Sequence, residues 1–182
     1  SNVSAGSPST NDVLKWNGSS WVPGSVSSGG ATSLNGLSDV LVENNSIFLG
    51  SDPSSTTNNA QYNVSVGINA LDAITTGDNN VAVGYKSLTA NTEGHDNISI
   101  GYESLESNTT GYENIALGSV CLESNTSGYS NIAFGYRTLR YNTTGTYNIG
   151  IGYMALRYNT TSDFNIGIGK EALGETTTGS KN

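Results

Sequence analysis

The chain has 182 residues, of which 35% are hydrophobic and only 12% charged, with a formal net charge of −8. Its pI near 4.3 argues against nucleic acid as a partner, because an acidic surface repels phosphate. No apolar run approaches the roughly 18 residues of a membrane span, and no basic start followed by an apolar stretch marks a secretion signal.

The amino-terminal third comes first. Asp12-Val-Leu-Lys-Trp16, then Asn17-Gly18, then Ser19-Ser-Trp-Val-Pro23 has the pattern of a β-hairpin, since Asn-Gly suits a type I′ turn. A Gly/Ser-rich linker follows over 25–33, and then Leu34-Asn-Gly-Leu-Ser-Asp-Val40. These features define an anchoring or capping module over 1–45, ahead of a repeat domain over 46–182. Trp16 and Trp21 offer large apolar area with little local core to absorb both, so they are the candidate docking residues. A capping hairpin without a partner is the alternative.

From residue 63 the texture changes. A glycine recurs seven times at an interval of 17 residues, from Gly67 to Gly169, with an asparagine four residues before it and a leucine four after it. Repeats of this strictness build stacked, quasi-one-dimensional solids. They also argue against an enzyme, because a translational repeat presents the same side chains at every level instead of converging different ones. No paired carboxylates of the kind that cleave glycosides are assignable.

In Asn80-Val-Ala-Val-Gly84 the alternation has period two, a short strand. Its branched residues are expected to fill the solenoid interior. The small residues between them, Ala82, Ser99, Ala116, Ala133, Gly150 and Gly167, are expected to line a close contact with other chains. A second strand is expected at Tyr85-Lys-Ser-Leu88 with its leucine inward, then connectors such as Asn91-Thr-Glu-Gly94 that supply turn conformations. Two strands and two turns per 17 residues make a parallel β-solenoid of seven coils, roughly 34 Å long at about 4.8 Å per coil. The Asn63 column should stack as an amide ladder. Ile47-Phe-Leu-Gly50 sits one interval earlier, as an eighth coil with Phe48 where the others are small.

Asn97-Ile-Ser-Ile-Gly-Tyr-Glu-Ser-Leu105 and Asn148-Ile-Gly-Ile-Gly-Tyr-Met-Ala-Leu156 resemble the head repeats of trimeric autotransporter adhesins of the YadA type. They are more similar still to the arrays of phage and large-virus fibre proteins. The stretches Val13–Gly24 and Leu34–Val40 are similar to modules of phage tail and fibre proteins, particularly those of cyanobacterial phages. The resemblance implies an all-β, left-handed β-roll and a homotrimer about a threefold axis. It further implies a non-enzymatic virion protein, a short fibre or a capsid or tail appendage, for host attachment or particle decoration. Other virion proteins would be met through the amino-terminal module. A bacterial cell-surface adhesin is the alternative. The period here is longer than in the usual adhesin head.

Among candidate chemical groups, Tyr112, Tyr129, Tyr141 and Tyr158 sit in or beside connectors, where stacked rings suit contact with a host surface glycan. They equally suit covering the solenoid or filling an interface. His95 is alone in its column and Cys121 occupies a column of small residues; neither suggests catalysis. No metal-ligand spacing appears, so no metal or cofactor is expected. The column Asp72, Thr89, Glu106, Glu123, Arg140, Arg157 changes sign halfway.

Overall fold

The computed structural model describes residues 12–16, 21–25, 40–50, 53, 56–57, 59–175, 177 and 179–182. It divides into two units, one up to Ser38 and one from Asp39. In the first, β1 (Asp12–Trp16) and β2 (Trp21–Ser25) pair antiparallel with Trp16 opposite Trp21. Ser25, expected as the start of the linker, closes β2; the side chains of both tryptophans, the rest of the linker and residues 34–39 lie outside the described residues.

The second unit is all-β, with no helix among the described residues. It is a parallel β-solenoid of seven coils. Each coil contributes one three-residue strand: β5 (Val64–Val66), β6 (Val81–Val83), β7 (Ile98–Ile100), β8 (Ile115–Leu117), β9 (Ile132–Phe134), β10 (Ile149–Ile151) and β11 (Ile166–Ile168). Neighbours pair parallel at equivalent positions, for example Ala82 with Ser99. Because the register equals the repeat, every level places the equivalent repeat position above itself.

An eighth level lies beneath the seven. β4 (Ser46–Leu49) pairs parallel with β5, Phe48 opposite Ser65. Before it, β3 (Val40–Glu43) pairs antiparallel with β4 through a two-residue turn at Asn44 and Asn45, both left-handed with φ of 47° and 61°. Two such residues are the signature of a type I′ turn. The solenoid unit thus begins before the expected boundary at 46, and β3 covers what would be a bare sheet edge. Phe48 is fully buried: the large ring sits in the small-residue column at the end of the stack, beneath Ser65.

The second strand does not form. Tyr85–Leu88 is a turn, with Lys86 at φ 56° and Leu88 at φ 53°, conformations incompatible with extended chain. The leucine still points inward; Leu71, Leu88, Leu105, Leu122, Leu139 and Leu156 are all fully buried. Main-chain bonding nonetheless continues between coils around the turn. Lys86 N donates to Ile68 O (3.0 Å) and Leu88 N to Ser104 O (3.1 Å). The buried peptide groups are therefore paired without a second sheet.

The glycine column is required twice over. Gly84 has φ 130°, and a Cβ there would lie 2.5 Å from the carbonyl oxygen of Gly101. No other residue type meets both conditions.

Two buried amide ladders run along the stack, one from Asn63 to Asn165 and one from Asn91 to Asn159. Asn114 Nδ2 donates to Asn97 Oδ1 (3.1 Å) and to Gly128 O (2.9 Å). Its own Oδ1 accepts from the main-chain N (3.1 Å) and Nδ2 (3.1 Å) of Asn131. Every polar atom of that side chain is satisfied without water. The second ladder comes from the connectors: Asn108 Nδ2 donates to Asn91 Oδ1 (2.8 Å) and Gly111 O (2.9 Å). These asparagines are buried structural residues, not surface turn formers. Where Ser162 replaces the connector glycine, its carbonyl still accepts from Asn148 Nδ2 (2.8 Å).

Candidate functional surfaces

The strand faces are inverted relative to expectation. Ser65, Ala82, Ser99, Ala116 and Ala133 are fully buried, as are Gly150 and Gly167, and they point into their own coil. This removes the small column as a contact between chains. The reason is the thinness of the coil. Ser65 Oγ donates to Ala70 O (2.8 Å) and Ser99 Oγ to Ser104 O (2.9 Å), so the inner strand residue touches the turn segment directly across the interior. Branched side chains do not fit that gap.

The branched residues therefore face outward as a continuous apolar stripe. Val64 is 40% exposed, Ile100 43%, Phe134 43% and Ile168 66%, while Ile115 and Ile132 are half-buried. Two such residues per level over seven levels form one flat apolar face.

The aromatic columns lie elsewhere on the coil. Tyr112 is stacked between His95 (centroids 4.9 Å apart) and Tyr129 (4.6 Å). Tyr141 stacks on Tyr158 (5.2 Å) and Tyr136 on Tyr153 (5.6 Å). The four tyrosines expected at a glycan contact thus form two separate stacks. Stacking covers ring faces with other rings, so what they present outward is mainly edges and hydroxyls. Partial desolvation, with Tyr129 adding to it, pushes the Tyr112 hydroxyl above its ordinary pKa.

Charge is segregated along the stack. Glu103, Glu106 and Glu123 converge, one oxygen of each lying within 4.8 Å of the others. Lys86 Nζ sits 2.9 Å from Glu106 and 3.9 Å from Glu103, and Arg140 pairs with Glu123. The bond to Glu106 holds the Lys86 ammonium above its ordinary pKa, and Glu123 does the same for Arg140. A divalent cation would have to displace Lys86 and Arg140. Over the next two levels the sign reverses: Arg137 lies over Tyr136 (4.8 Å), Arg140 over Tyr141 (4.9 Å) and Arg157 over Tyr158 (4.7 Å).

Cys121 is fully buried, and its Sγ contacts Gly135 O. Burial pushes its thiol up to about 11, the behaviour of a packed small residue, not a nucleophile. His95 is exposed and joined to Asp96 (2.8 Å).

No helix among the described residues is long and apolar enough to cross a membrane. No protein-family model, curated protein or solved structure matches the chain.

Proposed function

We propose that this chain is a non-enzymatic structural protein of a virion: a homotrimeric, left-handed β-roll serving as a short fibre or as a capsid or tail appendage. One observation carries the self-association. The outward stripe of Val, Ile, Leu and Phe residues runs the length of a sheet whose interior is already filled by small residues and leucine. An apolar stripe of that length exposed to water is an interaction surface. A second copy brings the same stripe, with the same 17-residue spacing, and so matches it level for level.

The virion reading rests on the resemblance of the repeats and of the amino-terminal modules to fibre proteins. The adhesin reading shares the roll but calls for secretion and outer-membrane anchor genes beside this one, where the virion reading calls for virion genes. Removal of residues 1–38, which leaves β3 in place over β4, is expected to give an associated rod that no longer joins particles. Incorporation of that truncated rod would move docking from the amino-terminal module to the repeats.

A further inference from the structure

We propose that the surface carrying Arg137, Arg140 and Arg157 binds a carboxylate- or sulfate-bearing sugar residue. The argument starts from charge. The chain carries −8, yet all three of its arginines lie within 137–157, and no Asp or Glu occurs over 124–162. Arg140 has an internal counter-ion in Glu123. Arg137 and Arg157 have none within 4.0 Å among the described residues, and the Nε of each is buried without a hydrogen-bond acceptor. Two guanidinium groups held without an anion, on a protein otherwise rich in anions, call for one from outside.

The rings fix the arginines in place. Each guanidinium lies over a tyrosine, Arg157 over both Tyr158 (4.7 Å) and Tyr141 (5.8 Å). The hydroxyls of Tyr136, Tyr141, Tyr153 and Tyr158 have no hydrogen-bond partner among the described residues. Arg140 and Arg157 occupy one column on successive levels, about 4.8 Å apart. The patch is therefore a short row of cations flanked by hydroxyl groups. An anionic sugar offers the matching set, one acidic group and several hydroxyls.

Its surroundings limit the ligand. Glu103, Glu106 and Glu123 lie on the adjoining levels, so a long polyanion such as nucleic acid would run into them. A peptide would find no main-chain partners either, because Arg137 N, Leu139 N and Tyr141 N are bonded to neighbouring coils. The patch also lies on the turn segment, across the coil interior from the strand (Ser99 Oγ to Ser104 O, 2.9 Å). Self-association through the apolar stripe leaves it open. The inference is independent of the virion assignment.

The test is calorimetric titration of the full chain with trigalacturonate, its neutral methyl ester, hexaglutamate and a thymidine decanucleotide. The expected result is binding of trigalacturonate, at least tenfold weaker binding of the ester, and at least tenfold loss in the variant R137Q/R157Q. A circular-dichroism melt checks that the variant is folded. If it is not, the unaltered protein is titrated between about 0.02 and 0.5 M salt, where affinity for trigalacturonate should fall. Equal affinity for acid and ester, no binding of trigalacturonate at millimolar concentration, or salt-independent binding would overturn the proposal. Tighter binding of hexaglutamate or of the oligonucleotide would overturn the sugar assignment.

Discussion

The methyl group of Thr138 occupies the space that a side chain on Gly150 would need: a Cβ on Gly150 would lie 2.6 Å from Thr138 Cγ2. Thr138 is the bulkiest member of a column otherwise made of Ala, Ser and Cys, and Gly150 stands where five other strands carry Ala or Ser. Gly150 does not lie in the left-handed region, so space and not conformation selects it. Gly150→Ala should destabilise the protein by about 1–3 kcal/mol through overpacking. The double variant T138A/G150A should recover most of that, less the hydrogen bond from Thr138 Oγ1 to Gly152 O (2.6 Å). Chemical denaturation of the four proteins of this cycle measures the coupling; additive effects would refute the packing relationship.

The amide ladder should be costly to interrupt. Asn114→Asp replaces two donors by acceptors, setting a carboxylate against Asn97 Oδ1 and Gly128 O. A loss of about 3 kcal/mol or more is expected, from the buried groups left unpaired and the buried charge. Thr144→Ala on an exposed connector position should stay within about 0.5 kcal/mol. Thr143 is a poorer control, because its hydroxyl donates to Thr160 O (3.0 Å) on the next coil. Comparable melting temperatures for N114D and T144A would contradict the assignment of interior and exterior.

Cys121 gives the stack a dependence on alkaline pH. Its thiol is pushed from an ordinary value of 9.0 to about 11 by burial, so folding favours the neutral form. The contribution is present in full below pH about 9 and is lost as pH rises towards 11. Stability should therefore fall across that window more steeply than in Cys121→Ser, a residue the column already accepts at Ser87 and Ser104. Denaturation midpoints at a series of pH values check this; parallel curves for the two proteins would count against it. In the native state the thiol should also resist alkylating reagents.

Much of this architecture is legible in the residues. The spacing of Gly, Asn and Leu announces the coil, the inward leucine, the first amide ladder and the level at Ile47–Gly50. The face of the strand is not legible from alternation alone. Period two says that Val81 and Val83 share a side opposite Ala82, but not which side is inside. The larger apolar residues are the natural choice for a core, and they fail here because the coil is too thin to hold them. The turn at Tyr85–Leu88 is hidden for a different reason. Its left-handed column starts with Asn69 but then holds Lys86, Glu103, Val120, Arg137, Met154 and Glu171, and those six do not advertise positive φ as Asn or Gly does. The second amide ladder was signalled by a strict Asn column at 91, 108, 125, 142 and 159, a regularity that turn chemistry alone does not demand. The two tyrosine stacks follow from columns visible in the residues, whereas the occupation of their faces by one another depends on ring orientation.

Partition between the two strand faces yields opposite phenotypes from adjacent residues. Ala116→Trp would force a bulky ring into the coil interior and should prevent folding of the stack. Ile115→Lys, one position away on the outward face, should leave the coil intact, since its side chain is half-exposed and nothing within its own coil requires it. Circular dichroism distinguishes the two; the reverse pattern would restore the branched residues to the interior.

The central claim, that the outward Val/Ile stripe is where copies of this chain meet, is tested most directly by light scattering on the purified protein and on the double variant I115K/I132K. The account predicts a trimeric mass for the unaltered protein and a monomeric mass for the variant, with the β signal of both retained. A monomeric mass for the unaltered protein, or an unchanged oligomer in the variant, would contradict it.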